Sequence, residues 1–194
     1  MAGTLVKRID YPDGRRFEVV IYDLLDEPTD AIVNAANGGL SHGGGVAAAI
    51  SKAAGPALDD EGNRIVRERG RIPVGDAVVT TAGKLRFKGV IHAVGPRMGD
   101  GNEGEKIVQA LKAALLRAHE RSWSSVSFPA ISSGIYSVPH EICARAYLRA
   151  VREFFQEYPD SSVRWIRLVL FQGPLLEAVK TGLEAEIPHR FRNW

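Results

Sequence analysis

Two glycine-rich stretches, each directly after a short apolar run, carry the chemistry most legible in this chain. The first reads Ala31-Ile32-Val33-Asn34-Ala35-Ala36-Asn37-Gly38-Gly39-Leu40-Ser41-His42-Gly43-Gly44-Gly45-Val46. The second reads Val126-Ser127-Phe128-Pro129-Ala130-Ile131-Ser132-Ser133-Gly134-Ile135-Tyr136. Glycine admits backbone conformations closed to other residues and lets main-chain N–H groups come close to an anion. Gly43-Gly44-Gly45 also runs into an expected helix beginning near Val46, where unpaired N–H groups and the helix dipole favour phosphate. A tight strand–helix connection needs only one glycine, so a run of three argues for an anion site. Two such turns closing on a diphosphate from opposite sides point to a nucleotide-like ligand.

Familiar phosphate-binding patterns do not fit. No Lys-Ser/Thr follows the glycines, so the loop is not a Walker P-loop, and Asn34-Ala35-Ala36-Asn37 intervenes where a Rossmann fingerprint has its first glycine. The asparagine amides suit ribose hydroxyls. We assign a structural role to Asn34 and a ligand role to Asn37. His42, just before the glycines, is placed to hold the loop by a hydrogen bond, and His92, inside an apolar run, reads as a core histidine. Cys143 is the only cysteine, which excludes an intrachain disulfide; its helical apolar surroundings make it a small core residue.

The elements that must position these residues alternate along the chain. Strands are expected at Leu5–Ile9, Phe17–Tyr22, Ala31–Asn34, Ala77–Thr81, Val90–Val94, Val126–Ala130 and Ile166–Phe171. Pro12-Asp13-Gly14 reads as a hairpin turn between the first two. Helices are expected at Gly45–Ala54, Pro56–Arg69, Glu105–Arg121, Pro139–Tyr158 and Gly173–Ala185. This order predicts an α/β fold whose sheet is mostly parallel and covered by helices on both faces, the opening hairpin making it mixed. Both glycine turns then fall at the carboxyl ends of strands, where open α/β sheets bind ligands.

Bulk composition excludes several classes. The 194 residues suit one domain spanning 1–194. With 25 basic and 23 acidic residues the net charge is +2, too small for a dedicated nucleic-acid surface. No apolar run reaches the roughly 18 residues that span a membrane, and no opening segment resembles a signal peptide, so a cytoplasmic setting and no membrane partner are expected. The His and Cys residues show no zinc spacing. The tail His189-Arg190-Phe191-Arg192-Asn193-Trp194 is basic and aromatic, suited to docking on its own domain or on a partner.

Several longer motifs together resemble the macrodomain family. They are Ile32-Val33-Asn34-Ala35-Ala36-Asn37, Ser41-His42-Gly43-Gly44-Gly45-Val46-Ala47, Ser51-Lys52-Ala53-Ala54-Gly55-Pro56, Val90-Ile91-His92-Ala93-Val94-Gly95-Pro96 and Phe128 to Tyr136, in the expected order over roughly Phe17 to Leu183. The chain is most similar to ADP-ribose-binding macrodomains of archaea, of coronaviruses and of the large multi-domain ADP-ribosyltransferases. The resemblance implies a three-layer α/β/α sandwich that binds ADP-ribose; no cofactor or metal is needed, and a monomer is expected. It implies that Asp23 receives the adenine amino group beside the Leu24 backbone. Gly43, Gly44, Gly45 and Val46 would form one diphosphate loop, and Ser132, Ser133, Gly134, Ile135 and Tyr136 the other. Phe171 would stack on adenine. Asn37 and Tyr136 would hold the distal ribose and serve as catalytic residues. From position alone, Phe171 is a core residue and Tyr136 a packing residue, and a turn or cap role stays open as the alternative for Asp23.

The resemblance extends to activity. One hydrolase branch of the family carries Asp directly after the Gly-Gly-Gly-Val run; this chain has Ala47 there, so that base is absent. Relatives with Ala at this place include de-ADP-ribosylating enzymes. The expected function is therefore hydrolysis of mono-ADP-ribose from modified proteins, with a substrate phosphate positioning the water. The alternatives are a non-catalytic reader of ADP-ribosylated proteins and an enzyme acting on O-acetyl-ADP-ribose or ADP-ribose 1″-phosphate.

Overall fold

In a computed structural model describing residues 3–186, the chain opens with two antiparallel strands, β1 (Thr4–Asp10) and β2 (Arg16–Ile21). The Gly14 N–H donates to the Tyr11 carbonyl at 2.9 Å and closes the expected turn between them. There follow β3 (Ala31–Ala36), α1 (Gly45–Ala54), α2 (Pro56–Arg69), β4 (Ala77–Thr80) and β5 (Gly89–Val94). The chain continues through α3 (Glu103–Glu120), β6 (Ser125–Pro129), α4 (His140–Glu157), β7 (Trp165–Leu170) and α5 (Pro174–Glu186). The expected strands and helices all form, with ends displaced by no more than a residue or two. The tail from His189 to Trp194 lies outside the described residues.

The seven strands form one sheet in the order β1-β2-β7-β6-β3-β5-β4. The inner pairs β2·β7, β7·β6, β6·β3 and β3·β5 are parallel, and β1 and β4 run antiparallel at the two edges. The mixed, mostly parallel sheet is as expected, with antiparallel β4 adding a second antiparallel edge to that of the opening hairpin. Its link to β5 carries no helix and is too short for the crossover that a parallel neighbour requires.

Side-chain alternation sorts each inner strand between two cores. Along β3, Ala31 and Val33 join the cluster formed with α3, α4 and α5, while Ile32 joins the cluster formed with α1 and α2. On β7, Ile166 and Leu168 face the first and Val169 the second. Burial on both faces makes the three-layer α/β/α sandwich. Tyr147, Phe154 and Phe155 of α4 are fully buried and fill the larger core.

A charged row crosses the smaller face. Arg167 on β7 lies in register with Glu18 on β2 and Ser127 on β6. Its guanidinium meets Glu18 at 2.6 Å and Glu27 at 2.5 Å, and the Ser127 hydroxyl donates to Glu27 at 2.7 Å. All four residues are buried. Burial of these charges is tolerated because each is paired and hydrogen-bonded.

Candidate functional site

The carboxyl ends of the five parallel strands open onto one cavity of about 680 Å³, within the roughly 300–1,000 Å³ range of small-molecule sites. Because β3 and β6 are neighbours in the sheet, the turns that follow them face each other across it. Gly43, Gly44, Gly45 and Val46 line one wall, and Ser132, Ser133, Gly134, Ile135 and Tyr136 line the other.

The first turn is open where a side chain would stand. A Cβ placed on Gly43, Gly44 or Gly45 would meet nothing within 4 Å, and Gly45 has φ +58°, a conformation that favours glycine. No side chain caps α1, whose N-cap is Gly44. The first N–H groups of that helix therefore have no partner within it and stand at the cavity. Gly134 in the second turn likewise has no neighbour within 4 Å of an added Cβ.

The second turn is held from beneath by α4. The Ile131 N–H donates to the Tyr147 hydroxyl at 2.7 Å, and that hydroxyl donates in turn to the Ile131 carbonyl. The Val138 N–H donates to the Ser132 carbonyl at 2.9 Å and closes the loop. Gly95, after β5, is required by close packing: a Cβ there would sit 2.3 Å from Ser132 Oγ and 2.7 Å from Ile131 Cγ2. Burial pushes the Cys143 thiol up to about 11; it stays protonated in the core, with Sγ 3.6 Å from the Ile131 and Val138 carbonyls.

A family model described as Macro domain matches residues 33–147. The chain belongs to the macro domain family. A Thermotoga maritima protein is 48% identical over 164 residues, a match that takes in 84% of this macro domain chain but 27% of that protein. The chain thus spans only about a quarter of that relative's length. An O-acetyl-ADP-ribose deacetylase of Salmonella gallinarum is 44% identical over 145 residues, which are 74% of this chain and 81% of that one. The solved Oceanobacillus iheyensis macrodomain with ADP aligns with a TM-score of 0.84 at 30% identity, covering 92% of this chain and 96% of that one. The Trypanosoma brucei macrodomain in complex with ADP-ribose aligns with a TM-score of 0.76 at 26% identity, covering 86% and 68%.

The remaining residues singled out from the sequence of this macro domain divide by position. Leu24 and Phe171 line the same cavity, and Phe171 is 84% exposed, which corrects the core reading that its position alone gives. Asp23 is exposed and lies between two lining residues, outside the lining itself. One of its carboxylate oxygens accepts from the Leu25 N–H at 2.9 Å, so it caps the short 3-10 turn Leu24–Asp26. Asn37 lines the cavity with its amide already engaged: it donates to the Ser41 carbonyl and hydroxyl, and accepts from the Gly39 and Ser41 N–H groups. Ala47 lines the first wall, and no Asp or Glu lines the cavity among the described residues. Arg97, His140 and Gln172, unmarked in the sequence, also line it, as does Gly95, which the sequence marks only as part of a motif. Gly95 directly follows the inner strand β5 and Arg97 comes two residues later, the one signal that would have found them.

Under the first turn lies a buried polar row. Asn34 sends amide hydrogens to His92 Nδ1 at 3.1 Å and toward His42 Nδ1 at 3.4 Å. Both rings therefore accept on Nδ1 and carry their proton on Nε2. His92 Nε2 donates to Thr80 Oγ1 at 2.8 Å, and His42 Nε2 faces Asp59 at 3.5 Å on α2. Burial, with His42 close by, holds the His92 pKa down to about 3, and burial lowers that of His42 against the pull of Asp59. Asn34 and His92 are thus structural, and His42 ties the turn to the strand beneath it.

Proposed function

We propose that this macro domain binds ADP-ribose and hydrolyses the bond between mono-ADP-ribose and acidic side chains of modified proteins. The observation that carries the reading is the pair of open glycine turns, with an uncapped helix start, facing each other across one cavity. A diphosphate fits there electrostatically, gripped by main-chain N–H groups from both sides. Adenine would stack on Phe171, with the outer oxygen of Asp23 and the Leu24 backbone at its edge; base–aromatic stacking contributes about 1–3 kcal/mol in comparable complexes. The distal ribose would lie between Asn37 and Tyr136. A water held by a substrate phosphate attacks the anomeric carbon and gives its proton to that phosphate. The bond to the carboxylate oxygen breaks, and its electron pair leaves with the carboxylate. Rate enhancement rests on orientation and on loop N–H groups.

A lining that among the described residues includes no carboxylate also supports a second reading, a non-catalytic reader of ADP-ribosylated proteins. The likeness to the Salmonella deacetylase supports a third substrate, O-acetyl-ADP-ribose. Calorimetry with free ADP-ribose followed by release of label from an ADP-ribosylated protein separates the cases. Gly134→Glu should abolish binding without unfolding the domain, because a carboxylate would enter the diphosphate path. Unchanged affinity in that variant removes the two-turn cradle, and binding without label release leaves only the reader.

A further inference from the structure

A second cavity of about 330 Å³ adjoins the first. The two share Asn37, Gly95, Arg97 and Tyr136, so they meet at the end assigned to the distal ribose. Beyond that junction the wall is formed by Arg71, Ile72, Val74 and Asp100. Resting on the function proposed above, this is the side on which the group joined to the distal ribose must emerge.

The wall has the composition of a peptide site. Arg71 and Arg97 are exposed and line this cavity, and neither guanidinium has a carboxylate partner among the described residues. Arg97 lies over the Tyr136 ring, 5.0 Å from its centroid. The carboxylate Asp100 is occupied in accepting from the Arg97 backbone N–H at 2.9 Å. Val74 is 42% exposed and adds an apolar surface. An acetyl group would leave most of this space empty and both cations unmatched. A further nucleotide unit would want an open aromatic platform, whereas among the described residues the one aromatic ring lining this cavity is Tyr136, with Arg97 stacked on it.

We propose that the second cavity is a binding site for the acidic peptide that carries the ADP-ribosyl group, with Arg71 and Arg97 receiving Asp or Glu side chains that flank the modified residue. Long-range attraction to exposed guanidinium groups is modest and sensitive to salt. The preference should therefore be a factor of about five at low ionic strength, shrinking toward unity near ~0.5 M salt.

The test uses peptides ADP-ribosylated through a hydrolysis-resistant amide linkage, with flanks either acidic or amidated to Asn and Gln. Competition against a fluorescent ADP-ribose probe should show the acidic peptide binding about fivefold more tightly, given two exposed ion pairs. In Arg71→Gln that difference should fall by half or more, and in Arg71→Glu it should reverse, while free ADP-ribose binds both variants as it binds the wild type. Equal binding of the two peptides to the wild type overturns the proposal while leaving ADP-ribose recognition standing. So does a linked ADP-ribose dimer that gains more from Arg71 than the acidic peptide does. Failure of free ADP-ribose to bind at all would instead remove the underlying function.

Discussion

At the scale of single residues, the buried imidazoles make a pH-dependent contribution whose sign is fixed by their surroundings. Burial lowers the pKa of both His92 and His42 from 6.5, that of His92 to about 3. The unfolded chain takes up protons near 6.5 that the folded protein refuses. Stability is thus complete above that pH and declines as pH falls below it, by up to about 1.4 kcal/mol per pH unit from His92, with His42 acting in the same direction. The carboxylates held low by their partners, Asp10, Asp13, Asp30 and Glu103, act at lower pH, below their ordinary values of 3.8 to 4.5. The interval from pH 6.5 to 5 therefore isolates the histidines. Urea unfolding across that interval should show the decline in the wild type and a shallower one in His92→Gln. Identical slopes would mean that His92 titrates normally.

Individual elements matter here through what they hold in place. The helix α4 is a core element by its apolar face, yet its Tyr147 hydroxyl is spent on both backbone groups of Ile131, where the second turn begins. Tyr147→Phe keeps the volume and removes both bonds. Leaving those buried groups unpaired should cost about 1–3 kcal/mol, read as a lower Tm. Because the loss falls at the base of a cavity wall, calorimetry should also show weaker ADP-ribose binding. A lower Tm with unaltered affinity would show that the turn keeps its shape without α4. The first turn rests in a similar way on the row from Asn34 to Asp59, so each glycine turn has its own polar support on a different side of the sheet.

For the molecule as a whole, the row through Arg167 ties β2, β7 and β6 together on the face that also bears α1 and α2. Removing the central cation strands Glu27, which is fully buried, and Glu18 beside it. Arg167→Met should destabilise by about 3–5 kcal/mol, the range for breaking a buried pair from one side. Chemical denaturation measures this directly. The molecules that remain folded should bind ADP-ribose normally, since Arg167 does not line the cavity. A loss below about 1 kcal/mol would mean that water reaches the abandoned carboxylates.

The amino-acid sequence by itself determined the elements and the two anion-seeking turns. Alternation, glycine runs and helix-start signals are local, and they bring out the seven strands, the five helices and the turns at Gly43–Gly45 and Ser132–Tyr136. Sequence also marked Asn34, His92 and Cys143 as structural, because polar or small residues inside apolar runs have few other fates. What it left open depends on partners distant in the chain. Only the fold decided that β3 and β6 are neighbours, which is what sets the two turns face to face. Only the fold showed that Asp23 accepts from the Leu25 N–H, that the Asn37 amide is engaged by Ser41, and that Phe171 ends exposed at the cavity. Side-chain roles of this kind are settled by which atoms lie within hydrogen-bond reach, and periodicity carries no record of that reach across the sheet.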